Sequence, residues 1–182
     1  MRIVFLDFDG VLNQGWGLPL PILVRRLNTL TRATSAKVVV HSSWRYGRTI
    51  DHLRTILEGW NVVAEVVGVA PIPEGSTVKE NGILQIPTKA AIKFLAALPE
   101  EYEIQLEQLW DYERAAAIQH WLNEQPEDSI ESFVILDDHD FFAHLSANHV
   151  QITASVGLTD TQVKKAKEIL LAPSKESEPP VP

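Results

Sequence analysis

The chain of 182 residues contains no cysteine. A disulfide framework, a thiolate zinc site and a thiol nucleophile are all excluded, and the absence fits a reducing compartment. No apolar run approaches the roughly 20 residues that a membrane span needs. The N-terminus lacks the basic start, long apolar stretch and small-residue cleavage site of a signal peptide. The sequence therefore reads as a soluble, cytoplasmic protein with no membrane partner. Internal repeats are also missing. Positive charge is in deficit, with 16 Lys and Arg against 24 Asp and Glu, a net charge of −8. That balance argues against a generic nucleic-acid binder.

The deficit is uneven. Residues 1–60 carry 8 basic and 4 acidic residues, a net +4, and residues 61–182 carry 8 and 20, a net −12. The first part would attract an anionic substrate and the second would repel it. Hydrophobic residues make up 45% of the chain, enough for one domain with a sizeable core.

Short apolar runs alternate with helical patterns. Arg2 to Leu6 reads as a strand, and Pro21 suits the first turn of a helix carrying Ile22, Leu23, Leu27 and Leu30. Lys37 to Val40 is a second strand, followed by a helix with Ile50, Leu53, Ile56 and Leu57 on one face. A third strand is expected over Val62 to Val69. Pro71 to Pro87, with three prolines and two glycines, reads as an irregular insertion. Helices are expected over residues 88–98, with Thr88 as N-cap, and over Tyr112 to Leu122. Phe133 to Leu136 is a fully apolar strand, Val150 to Ile152 a weaker one, and residues 159–171 a closing helix. Residues 172–182, rich in Pro, Ser and Glu, read as a disordered tail.

Strands alternating with helices predict an α/β fold: a three-layer α/β/α, Rossmann-like parallel sheet with no large cap domain. Strands that are uniformly apolar are covered on both faces. Ligands bind such sheets beyond the carboxyl ends of the strands. There the chain places Asp7 and Asp9, Ser42 and Ser43, and Asp137 and Asp138. Carboxylates gathered in one place repel each other unless they are protonated or share a cation. With oxygen ligands and no thiolate, a hard ion is expected, and Mg²⁺ suits a site that receives phosphate.

The order strand-Asp7-Phe8-Asp9-Gly10-Val11, strand-Ser42, a basic residue on a later helix, then strand-Asp137-Asp138 resembles the haloacid dehalogenase-like (HAD) superfamily of phosphatases. The match spans residues 3–138. The stretches HSSWR, AAIQHWL and ILDD resemble small HAD domains of bacterial and phage proteins, including domains attached to RNA-repair enzymes. The resemblance implies a single hydrolase domain over residues 1–171. Within it, residues 71–108 form either a small lid or an elaborated loop.

It also implies roles. Asp7 would be the nucleophile that forms an aspartyl-phosphate, and Asp9 the general acid and base. Gly10 lets the chain turn sharply behind them. Asp7, the Asp9 carbonyl, Asp137 and Asp138 would hold Mg²⁺. Ser42 would bind the phosphoryl oxygens, with Ser43 chemically equivalent. A cation must offset the charge on the phosphoryl group. Arg114 precedes the last acidic strand and fills this place, with Lys89 as rival. Asp140 is expected beyond the ligands or as a helix cap. His41 and His139 read as satisfied polar residues near strand ends, Trp44 as a packing residue, and Trp16 as a possible lining of the entrance. An Asp two residues after the nucleophile distinguishes a phosphatase from dehalogenases and ATP-driven pumps. The expected function is an Mg²⁺-dependent phosphomonoesterase acting on a phosphorylated substrate, either a small molecule or a nucleic-acid end. The alternatives are an end phosphatase of nucleic-acid repair and a non-catalytic interaction module.

Overall fold

In the computed structural model the described residues are 1–15, 17–79, 84–98, 109–140 and 142–173. Trp16, the whole acidic stretch 99–108 and nearly all of the tail expected over 172–182 lie outside them.

Side chains alternate across a strand, and β1 (Arg2–Leu6) shows the consequence of being apolar on both sides. Val4 and Leu6 enter one core, Ile3 and Phe5 the other, and all four are fully buried. Burial of such a side chain contributes about 1.5–3 kcal/mol, so β1 anchors both layers. Beside it run β2 (Lys37–Val40), β3 (Val66–Val69), β6 (Ser132–Asp137) and β7 (His149–Gln151). They form one parallel sheet in the order β3-β2-β1-β6-β7.

The helices α1 (Pro21–Thr34), α2 (Ile50–Gly59) and α5 (Asp160–Leu171) cover the Val4 face through Leu27, Leu30, Leu53, Leu57, Ala166 and Leu170. The helices α3 (Thr88–Leu95) and α4 (Leu109–Asn123) cover the Phe5 face through Phe94, Ala115 to Ile118 and Trp121. The three-layer α/β/α, Rossmann-like arrangement expected from the sequence is therefore present.

Three local readings are corrected. The third strand begins at Val66, not Val62, because the Val62 N–H bonds to the Leu57 carbonyl and the Val63 N–H to Asn28 Oδ1. Thr88 is the first helical residue and makes no cap, while Pro87 holds the N-cap position. Within the irregular insertion, β4 (Thr77–Val78) pairs antiparallel with β5 (Leu84–Gln85).

From β1 the chain moves outward to β2 and β3, then crosses to the other side of β1 to form β6 and β7. The reversal leaves a crevice between the ends of β1 and β6, where this class of sheet receives its ligands.

Candidate active site

The register Leu6↔Leu136 sets the ends of β1 and β6 level. The Asp7 N–H continues the ladder to the Leu136 carbonyl at 3.0 Å. Asp7, the first residue after β1, and Asp137, the last of β6, are therefore brought side by side, and both are buried. The His41 N–H donates to the Leu6 carbonyl at 3.2 Å and draws the end of β2 to the same point. The three strand ends expected to meet do so.

Buried carboxylates need partners, and each has several. The Phe8 N–H donates to Asp7 Oδ1 at 2.8 Å. Arg114 Nη1 donates to Asp7 Oδ2 at 2.9 Å and to Asp137 Oδ2 at 2.5 Å. His41 Nε2 meets Asp137 Oδ2 at 2.7 Å, with both side chains wholly buried. The His139 N–H donates to Asp137 Oδ1 at 2.8 Å, and its Nδ1 lies 3.0 Å from Asp138 Oδ1. Burial pushes the Asp7 carboxyl above the usual carboxylate range, and the nearby Asp137 charge adds to this against the pull of Arg114. Asp137 lies well below that range. Its burial acts upward, but the hydrogen bonds from His139 and His41 and the Arg114 charge outweigh it. The same hydrogen bonds to Asp137 and Asp138 push His139 up to about 10.

Of the two rival cations, Arg114 reaches the acids, whereas Lys89 is exposed and lines a separate depression with Lys93, Phe94 and His120. Of the two serines, Ser42 is buried near Asp7, and its hydroxyl accepts from the Trp44 N–H at 3.3 Å. Ser43 opens the 3-10 turn that follows, Ser43–Arg45.

Asp9 stands apart from this cluster. Asn13 Nδ2 donates to its Oδ1 at 2.7 Å and Trp44 Nε1 to its Oδ2 at 2.8 Å. Immediately after Asp9 the chain turns through Gly10 at φ 75°, and a Cβ there would sit 2.7 Å from the Asp138 carboxyl. Gly10 thus allows both the turn and the approach of Asp138.

Sequence reasoning missed several of these residues. His41 and His139 are direct partners of Asp137, and Trp44 both packs on Trp60 and holds Asp9. Arg45 bonds the His41 and Ser42 carbonyls and forms a buried ion pair with Glu113, the neighbour of Arg114 on α4. That pair ties the turn after β2 to α4 and so sets where Arg114 stands. Its members are 68 residues apart, and nothing local in the sequence signals it.

One ligand atom each from Asp7, Asp137, Asp138 and His139 lie within 4.8 Å of one another. Three of these donors are hard oxygens, the chemistry that suits a divalent ion such as Mg²⁺.

Residues 3–163 match the family described as the HAD domain in Swiss Army Knife RNA repair proteins. The chain belongs to this HAD family. The resemblance read from its four ordered motifs is borne out, and so is the fold. HAD domains generally use a divalent metal, and the acidic cluster offers one a place. No curated protein and no solved structure matches the chain. Among the described residues no helix is long and apolar enough to cross a membrane.

Proposed function

We propose that this HAD domain is an Mg²⁺-dependent phosphomonoesterase acting on a phosphorylated nucleic-acid end. The observation that carries the reading is the separation of two aspartates two residues apart. Asp7 is paired with Arg114 beside Asp137, while Asp9 is held on its own by Trp44 and Asn13. That separation supports attack by the first and proton transfer by the second.

In this reading an Asp7 carboxylate oxygen attacks phosphorus, the ester P–O bond breaks, and the leaving oxygen takes a proton from Asp9. Asp9, now ionised, accepts a proton from a water that attacks the phosphorus of the aspartyl-phosphate. Inorganic phosphate leaves and Asp7 is restored. Ser42 and Arg114 bind the phosphoryl oxygens through the electrostatic stabilisation such a transfer needs. Asp7, the Asp9 carbonyl, Asp137 and Asp138 would hold the metal ion. It would neutralise charge between nucleophile and phosphate and keep Asp7 ionised against its burial. Hard oxygen donors favour Mg²⁺ over softer metals. The nucleic-acid end, in preference to a small metabolite, rests on the family's RNA repair proteins and on the net +4 of residues 1–60.

The test is hydrolysis of p-nitrophenyl phosphate with Mg²⁺, with EDTA, and by Asp7→Asn, followed by release of phosphate from end-phosphorylated oligoribonucleotides. Turnover is expected only for the native chain with Mg²⁺. Equal rates under all three conditions would overturn the phosphatase, and activity confined to small esters would overturn the nucleic-acid end.

A further inference from the structure

Between α1, the loop entering it and the end of α2 runs a groove of about 500 Å³. Leu18, Val24, Arg25, Asn28, Arg32 and Trp60 are among its lining residues, and no carboxylate is. In a chain of net charge −8 that composition is unexpected. Arg25 and Arg32 are exposed on α1, and neither has an acidic partner among the described residues. Seven residues apart, they stand on one helix face at a separation of about 10 Å. The nearby Arg26, by contrast, is engaged by Asp160.

The groove is joined to the catalytic end of the sheet by two routes. Asn13 Nδ2 donates to both Asp9 Oδ1 and the Gly17 carbonyl at 3.1 Å, and Gly17 leads into Leu18, which is 81% exposed at the groove's edge. Trp44, which donates to Asp9, packs on Trp60 with ring centroids 5.3 Å apart. Arg48 lies over the Trp44 ring at 5.4 Å.

We infer that this groove carries the single-stranded RNA leading away from the phosphorylated end, with Arg25 and Arg32 on backbone phosphates and Trp60 offering a stacking surface. Unpaired guanidiniums along a groove with an aromatic wall are the usual means of holding single strands without sequence preference. The inference rests on the reading of the site as a nucleic-acid end phosphatase and adds the path of the strand beyond the reacting phosphate.

The test is fluorescence anisotropy of a labelled oligoribonucleotide of about ten nucleotides. It carries no terminal phosphate, so it is not consumed. The native chain is compared with Arg25→Gln/Arg32→Gln and with Arg25→Lys/Arg32→Lys over a range of salt. The Gln pair is expected to bind about tenfold more weakly, with a salt slope reduced by about 1.4 for two lost phosphate contacts. The Lys pair is expected to restore most of both. Circular dichroism and thermal melting check that each variant is folded. Absence of RNA binding by the native chain, or equal affinity and slope for the Gln pair, overturns the groove. Hydrolysis of p-nitrophenyl phosphate by the native chain is scored separately, so failure of the phosphatase reading is distinguishable.

Discussion

Trp44 and Asp9, 35 residues apart, are joined by a 2.8 Å hydrogen bond from the indole Nε1–H to the carboxylate Oδ2. The ring that donates this bond is wedged between Phe8 and Trp60. Packing of the aromatic cluster therefore fixes the direction in which Asp9 presents its oxygens. Trp44 acts through Asp9 and is a positioning residue in the proposed reaction.

Trp44→Phe keeps the packing and removes the donor. A hydrogen bond to a charged group contributes about 1.5–3 kcal/mol to stability, so the thermal midpoint is expected to fall by several degrees, and kcat, through misorientation of Asp9, by about tenfold or more. Steady-state kinetics on p-nitrophenyl phosphate decide this. An unchanged kcat would show that Asn13 alone aims Asp9.

Arg114→Ala leaves Asp7 and Asp137 without their shared guanidinium. A loss of about 10²–10³ in kcat is expected for a group that stabilises transition-state charge. Lys89→Ala, at an exposed position away from the acids, is expected to stay within about twofold of the native rate. The same kinetic assay ranks the two, and the reverse ranking would move the phosphate-binding cation to α3.

Glu113→Gln removes one charge of a buried pair and leaves Arg45 uncompensated. Breaking such a pair costs about 3–5 kcal/mol. Urea unfolding is expected to show a lowered midpoint, and residual activity of the folded fraction is expected to drop because Arg114 is no longer held in place. A variant as stable as the native chain would mean that the pair does not anchor α4.

Burial, with the charge and hydrogen bond of Glu113, pushes the Tyr46 hydroxyl up to about 12 from its ordinary value of 10. The folded state thus holds this proton more tightly than the unfolded one. The contribution is fully present below pH 10 and is lost as pH rises through about 12. At about 1.4 kcal/mol per unit it amounts to roughly 2–3 kcal/mol. The stability of Tyr46→Phe is expected to fall less steeply between pH 10 and 12, as read by denaturant midpoints. Parallel curves for the two proteins would contradict the assignment.

Much of this organisation was legible because apolar runs and acids alternate so plainly. Ile3 to Leu6, Val38 to Val40 and Phe133 to Leu136 are apolar on both faces, and only a strand covered on both sides has use for that. Each ends on polar residues, and in a parallel sheet that alone puts Asp7, Ser42 and Asp137 at one rim. The start of β3 was not legible. Val62 and Val63 are as apolar as the strand that follows, and only the capture of their N–H groups by Leu57 and Asn28 excludes them from it. Nor was the network behind the acids. His41 looks like any polar residue at a strand end, and its bond to Asp137 spans 96 positions. Contacts of that kind come from topology, and composition or periodicity carries no trace of them.

The pairing of β1 with β6 has a consequence for synthesis. Residues 2–6 are synthesised well before one of their two neighbouring strands, which begins at Ser132. Until then the nascent chain holds a largely apolar strand with a bare edge, the kind of template on which chains aggregate. It also lacks Asp137 and Asp138. A product terminated before Ser132 would therefore be prone to clump and, in the proposed reaction, would lack two of the residues assigned to the metal ion.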